Sequence, residues 1–231
     1  MIRGIIGTSL VDYPDKIATL IFTGGCNYRC PFCHNRELVI PEELKSLPHI
    51  REEYVIDEIK KRKGFVTALA VTGGEPLIHD ERLLSFLIKV KEETNVDIKI
   101  DTNGSMPETI NKYIKSGIIN FFAVDLKTDP KRYNKATGGH EIEPVLETLS
   151  ILKSSDIPYE IRTTVVPGYV DKEMIEFAIS IGNHKKYVLQ RFRPMKTIDK
   201  SFEKLTSPPP QIINKYKKML EQTMLDVEVR I

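Results

Sequence analysis

The chain has 231 residues, 41% hydrophobic and 29% charged, which fits one large domain with an ample core. Thirty-four Lys and Arg stand against 32 Asp and Glu, and a net charge of +2 gives no global footprint for nucleic acid. No leading apolar segment and no run near the roughly 18 apolar residues of a membrane span are present, which predicts a soluble, cytoplasmic protein without a membrane partner.

Residues 1–15 mix short apolar runs with Gly4, Gly7 and Pro14, suiting a strand and turn at a sheet edge. Residues 16–22 read as the first strong strand and lead through Gly24 and Gly25 into a loop over 23–35. Residues 36–50, with Pro41 and Pro48, read as irregular, and 51–63 as a helix stopped by Gly64. An alternation follows. A strand over 65–71 ends in Thr72-Gly73-Gly74-Glu75-Pro76, and Asp80 is placed to cap a helix over 81–94 with apolar residues at helical spacing. A strand over 96–101 ends in Asp101-Thr102-Asn103-Gly104, a helix over 107–116 closes at Gly117, and a strand over 118–126 ends in Asp125-Leu126-Lys127. Residues 128–139 read as a polar loop and 144–155 as a helix. A strand over 159–166 runs into Pro167-Gly168, and Asp171 is placed to cap a helix over 172–181. A strand over 186–191, a loop over 192–210, a helix over 211–224 and a strand over 226–231 complete the chain.

Such alternation predicts an α/β fold with parallel strands and right-handed crossovers. Six repeating units are too few for a closed eight-stranded barrel, so the expectation is a partial (β/α)6 barrel in a single domain, 1–231. The polar motifs fall at the C-terminal ends of successive strands, where barrel active sites are built. That registration is the main argument for an enzyme.

Residues 26–35 read CNYRCPFCHN and contain every cysteine of the sequence, spaced C-x3-C-x2-C. Three cysteines within eight residues argue against a disulfide framework and for a metal in a reducing compartment. Three thiolates leave a tetrahedral site one ligand short, or a four-iron cluster with one iron free of protein. The bland alternative is a structural zinc site with His34 as fourth ligand.

The cysteine spacing, with Phe32 before the third cysteine, resembles the radical S-adenosylmethionine superfamily. Gly73-Gly74-Glu75-Pro76 resembles its glycine–glycine–glutamate motif. Cys33-His34-Asn35, Asp101–Gly104, Asp125-Leu126-Lys127 and the strand from Arg162 to Gly168 resemble the glycyl-radical-enzyme activating branch. The opening GTSLVDYPDKIATLIFTGGCNYRCPFCHN is most similar to the anaerobic ribonucleotide reductase activating proteins.

The resemblance implies that Cys26, Cys30 and Cys33 ligate a [4Fe-4S] cluster whose fourth iron is chelated by S-adenosylmethionine. An electron from a flavodoxin or ferredoxin then cleaves the sulfonium–C5′ bond, and the 5′-deoxyadenosyl radical takes a hydrogen from a glycine of a partner enzyme. The cofactor carries that chemistry while the protein places it. Phe32 offers backbone and ring to the adenine, or packs under the loop. Gly73 and Gly74 let a ligand approach the backbone, and Glu75 or neighbouring carbonyls take the ammonium. Asp101, Thr102 and Asn103 suit ribose hydroxyls or a monovalent cation, or else cap the next helix. Asp125 and Lys127 alternate on one strand and meet charged groups of the cofactor, or form a salt bridge at the mouth. Arg162 holds the cofactor carboxylate as a planar fork. His34 is a second-shell donor or a surface residue, and His49, His79, His140 and His184 read as structural. The lysine runs 60–63 and 185–186 read as solvated surface, or as docking sites for an acidic electron donor.

With no cysteine beyond the three, auxiliary clusters are excluded. Gln190-Arg191-Phe192-Arg193-Pro194 offers arginines where the pyruvate formate-lyase activating enzyme has a histidine, which weakens that assignment. The reading is an activase of a glycyl radical enzyme, foremost anaerobic ribonucleotide reductase, with loops 36–50, 128–139 and 192–210 as candidate docking surfaces. The rivals are a small-molecule radical enzyme of the deazaguanine-forming kind and a non-catalytic metal-binding or redox-sensing domain.

Overall fold

The computed structural model describes residues 1–182 and 184–231. Strands β1 (Ile2–Ser9) and β2 (Ala18–Thr23) come first, then helices α1 (Arg36–Val39), α2 (Pro41–Leu44) and α3 (Glu52–Lys61). Next are β3 (Ala68–Gly73), a 3-10 turn (Pro76–His79), α4 (Asp80–Thr94), β4 (Asp97–Thr102), α5 (Pro107–Lys115) and β5 (Phe121–Asp125). The chain continues with α6 (Pro130–Thr137), α7 (Glu143–Lys153), β6 (Tyr159–Val165), α8 (Lys172–Ser180) and β7 (Lys186–Arg191). A 3-10 stretch (Lys200–Lys204), α9 (Pro210–Leu220) and β8 (Asp226–Arg230) follow. Two compact units can be distinguished: residues 1–27, 37–102 and 106–122, and residues 28–36, 103–105 and 123–231.

In the first unit, β1 runs antiparallel to β2, and β2, β3 and β4 are parallel neighbours with Leu20, Ala70 and Lys99 in register. Residues 68–71 of β3 are wholly buried, the continuous apolar run of a parallel strand covered on both faces. Small Ala68 and Ala70 leave room for the Tyr13 and Phe22 rings in one cluster. Helix α4 buries Leu83, Phe86, Leu87 and Val90, one stripe at helical spacing. Several elements differ from the sequence expectation, among them the strand expected over 118–126, which starts only at Phe121. Phe65 is 55% exposed and outside β3, because its N–H and that of Val66 close a turn on the Arg62 carbonyl. Asp80 is the first residue of α4 rather than its cap, and its carboxylate accepts from Lys112 Nζ at 3.0 Å. Segment 36–50 is not irregular throughout but holds two single-turn helices, α2 starting at Pro41, where a missing N–H costs nothing.

In the second unit, β6, β7 and β8 are parallel, with Thr164, Gln190 and Arg230 in register. Alternation along β6 puts Tyr159, Ile161, Thr163 and Val165 on one face and Glu160, Arg162 and Thr164 on the other. Asp171 caps α8 as expected, accepting from the Met174 N–H at 3.1 Å. The segment read as a polar loop over 128–139 contains α6. Its ends are marked in the sequence: Asp129 accepts from the Lys131 N–H at 3.0 Å, Pro130 occupies the first turn, and Gly138 closes the helix at φ +80°. Its buried stripe is only Tyr133, Ala136 and Thr137, so the caps are the plainer announcement of this helix. Loop 192–210 likewise carries the 3-10 stretch capped by Asp199. Among the described residues no helix is long and apolar enough to cross a membrane.

Candidate functional site

The first unit supplies Cys26 and the glycine-rich turn after β3. The chain leaving β2 is pinned at successive residues: the Gly24 N–H donates to the Met1 carbonyl at 3.0 Å and the Gly25 N–H to Leu38 at 2.7 Å. The turn 73–75 lies against the same segment, Gly74 N–H on the Thr23 carbonyl at 2.9 Å and Glu75 N–H on Gly25 at 2.8 Å. Gly73 has φ +130°, and a Cβ on Gly74 would stand 1.9 Å from the Gly25 oxygen, so both positions require glycine. Glu75 is fully buried, and its Oε1 accepts from the Leu77 N–H at 3.1 Å and the Thr102 hydroxyl at 2.8 Å. These hydrogen bonds offset part of the cost of burying the acid. Thr102, expected at a ligand, thus holds Glu75. Asp101 pairs with Lys99, which is buried on the same face of β4.

The second unit supplies Cys30 and Cys33. The Cys33 N–H closes a turn on the Cys30 carbonyl at 3.0 Å. Two further bonds fix this segment: the Arg29 N–H reaches the Thr137 carbonyl at 2.8 Å, and the Pro31 carbonyl accepts from the Asp199 N–H at 2.9 Å. Phe32 is buried, its ring 5.4 Å from Tyr169 and 6.1 Å from Phe202. Tyr28 is also buried, between His140 at 4.7 Å and Tyr133 at 6.5 Å, and burial pushes its hydroxyl up to about 12. Asn103 Oδ1 accepts from the Ser105 N–H at 2.9 Å, an Asx turn rather than a helix cap. Asp125 is the hub of an ion triad, accepting from Lys127 Nζ at 2.8 Å and Arg162 Nε at 3.0 Å.

Burial alone would raise the Asp125 carboxyl, but Arg162 and Lys127 outweigh it and hold it down to about 2. Burial alone would lower the Lys127 ammonium. Asp125 and the charges of Cys30 and Cys33 overcome that and keep it well above its ordinary range. The lysine therefore stays cationic and offsets thiolate charge at long range.

Among the described residues no three His, Cys, Asp or Glu side chains are already gathered as a metal site, so the case for a cluster rests on the chemistry of the cysteine loop. The three cysteines are free of disulfides, Cys30 buried and the other two half-buried. His34, the candidate fourth ligand of a zinc site, is turned elsewhere: its Nε2 meets the Arg193 carbonyl at 2.8 Å and its ring stacks on Phe192 at 5.6 Å.

Two residues that sequence reasoning passed over act on this loop. His79, read only as structural, contacts the Gly24 carbonyl through Nε2 at 2.8 Å. Gly138 approaches Arg29 so closely that a Cβ would lie 2.8 Å from Arg29 Cβ. Nothing local signals the first, while the αL cap of α6 was the available signal for the second. The lysine runs carry carboxylate partners: Lys60 faces Glu93, Lys61 faces Glu58 at 2.8 Å, and Lys186 faces Glu228 at 2.9 Å.

Residues 20–181 match the Radical SAM superfamily. A "Putative glycyl-radical enzyme activating enzyme" of Methanocaldococcus jannaschii is 30% identical over 100% of this chain and 95% of its own length. The pyruvate formate-lyase-activating enzyme of Streptococcus mutans is 27% identical over 79% of this chain and 71% of that one. A "Probable GTP 3',8-cyclase" of Thermococcus kodakarensis is 28% identical over 79% of this chain, which spans only 64% of the cyclase. Among solved structures, a domain of the pyruvate-formate lyase-activating enzyme of Bacteroides vulgatus superposes with a TM-score of 0.57 at 18% identity, covering 69% of this chain and 96% of that one. Methylornithine synthase superposes with a TM-score of 0.67 at 18% identity over 93% of this chain and 71% of that one. These likenesses establish a mostly parallel α/β fold of the partial-barrel kind.

Proposed function

The chain belongs to the Radical SAM superfamily, and from that premise we propose that it is an activating enzyme that generates a glycyl radical on a partner enzyme. Membership implies an enzyme with a [4Fe-4S] cluster and S-adenosylmethionine. When bound, these supply reductive cleavage of the sulfonium–C5′ bond. The observation that carries the activase reading is the end-to-end likeness to the Methanocaldococcus protein, at 95% of its length.

In this reading Cys26, Cys30 and Cys33 hold the cluster. Buried Glu75 takes the ammonium of the methionine moiety, while Thr102 and the Leu77 N–H orient its carboxylate. Arg162, aimed by Asp125, presents its guanidinium to the cofactor carboxylate. Lys127 serves as a fixed cation on the thiolate side, and Phe32 with Tyr169 and Phe202 keeps water from the adenine side. Asp101 and Asn103 are assigned to ribose hydroxyls, with a monovalent cation near Asp101. The partner is anaerobic ribonucleotide reductase, on the likeness of residues 7–35 to its activating proteins, and the electron source is a flavodoxin or ferredoxin.

The test uses protein loaded anaerobically with iron and sulfide, reduced, and given S-adenosylmethionine. Wild type forms 5′-deoxyadenosine; Cys30→Ala forms none and binds less iron. Added anaerobic ribonucleotide reductase then acquires a glycyl radical signal in electron paramagnetic resonance. A properly loaded cluster that yields no 5′-deoxyadenosine ends the activase reading. A small-molecule substrate is the second reading, supported by the cyclase relative, and GTP consumption without any partner protein would decide for it.

A further inference from the structure

A cavity of about 260 Å³ opens in the second unit at the ends of β6, β7 and β8, with Thr164, Gln190, Arg191, Arg193, Arg230 and His34 among its lining. Its charges are unevenly matched. Arg230 is neutralised: Nη1 and Nη2 lie 2.9 Å from the two oxygens of buried Glu160, and Nε lies 2.8 Å from Glu228. Lys186 shares Glu228 at 2.9 Å and lies 3.6 Å from Asp226, so two cations there face three carboxylates. Arg191 and Arg193 differ. Arg191 Nε donates to a neutral acceptor, the Pro208 carbonyl, at 2.9 Å. Among the described residues Arg193 has no carboxylate partner. Its main chain is anchored, the carbonyl meeting both His34 Nε2 and the Met195 N–H at 2.8 Å. One guanidinium on a neutral carbonyl and one with no carboxylate partner among the described residues therefore line the cavity together with His34, the residue that follows Cys33.

We infer that this pocket binds the carboxylate of an Asp or Glu side chain carried by a polypeptide substrate. A carboxylate is the planar partner a guanidinium fork matches, and two forks can grip one group. Size and exposure select the source. Sites for whole small molecules are about 300 to 1,000 Å³ and bury most of the ligand. This one is smaller, and His34, Arg193 and Met195 on its rim are exposed, Met195 by 59%. It suits one side chain of a longer chain, and the exposed thioether offers an adaptable apolar contact to a flanking residue. The inference rests on the activase reading, since it requires a protein substrate. It adds that the substrate has an acidic residue near the reacting glycine, anchored next to the cysteine loop.

The test measures fluorescence anisotropy of labelled nonapeptides on the cluster-loaded enzyme with S-adenosylmethionine. Each peptide has a central glycine in an Ala/Ser background and one Glu walked through the other positions, with a Gln twin. At one or two positions the Glu peptide binds about tenfold or more tightly than its twin, the advantage a charged hydrogen-bonded pair confers, and that gain shrinks with added salt. Arg193→Gln abolishes the gain and Arg193→Lys keeps part of it, with unchanged melting temperatures showing intact folds. No Glu advantage at any position, or one that survives both Arg191→Gln and Arg193→Gln, overturns the inference. Inorganic phosphate or acetate that displaces the peptide more tightly than the peptide itself binds would assign the pocket to a free anion and overturn it too. Failure of the activase reading looks different: either no 5′-deoxyadenosine forms, or it forms while no glycyl radical appears on a partner and a small molecule is consumed.

Discussion

Asp125→Asn removes the carboxylate that Arg162 and Lys127 share, and its cost can be worked from the geometry. The side chains of Arg162 and Lys127 are 11% and 21% exposed and that of Asp125 27%, so the triad is largely withdrawn from water. Breaking a buried ion pair by deleting one partner costs about 3–5 kcal/mol, and the residual exposure puts this case near the lower end, about 3 kcal/mol. For a domain of this size that is a drop in Tm of roughly 6–12 °C. The pH dependence gives a second, independent signature. The folded carboxyl sits at about 2 against an ordinary 3.8, so its stabilisation is complete above the unfolded value and is lost as pH falls toward the folded one. The full effect is about 2.4 kcal/mol, of which about 1 kcal/mol is gone by pH 3. Urea unfolding of metal-free protein from pH 7 to pH 3 reads both quantities. The gap between wild type and variant should be about 3 kcal/mol at pH 7 and narrow by about 1 kcal/mol toward pH 3. A gap below 1 kcal/mol at neutral pH, or one that stays constant into acid, would refute the electrostatic account of this triad.

Three other changes probe the remaining supports. Glu75→Gln keeps an oxygen for the Leu77 N–H and the Thr102 hydroxyl but loses the charge; titration calorimetry should show S-adenosylmethionine affinity down at least tenfold, with Tm little changed. An unaltered affinity would remove Glu75 as the ammonium site. Gly138→Ala forces a Cβ against Arg29 at a positive φ and should cost about 1–3 kcal/mol. It should also speed the loss of cluster iron to a chelator, because the same contact fixes the chain between Tyr28 and Cys30; equal release rates would show that α6 does not hold the loop. His79→Ala cuts the contact to the Gly24 carbonyl, and a chelator-release rate like that of wild type would deny it a part in holding the Cys26 side of the loop.

Much of this site was legible in the residues. The C-x3-C-x2-C loop, the paired glycines before Glu75 and the polar ends of β4, β5 and β6 can be placed from spacing alone, because strand alternation and parallel crossovers fix where each strand's C-terminal end must fall. Cap chemistry was just as local: Asp171 stands where its sequence puts it, and Asp129, Pro130 and Gly138 wrote α6 in the same notation though its apolar residues are few. What packing decided lay beyond any such rule. Whether Asp80 caps a helix or binds Lys112, whether Thr102 faces a ligand or steadies Glu75, and whether His34 turns toward a metal or toward the Arg193 carbonyl all depend on partners 27 to 159 residues away. The sequence determined which chemical groups reach the strand ends; only the tertiary structure decided which of them are already spent on one another, because a hydrogen bond or ion pair is settled by distance in space and not by separation along the chain.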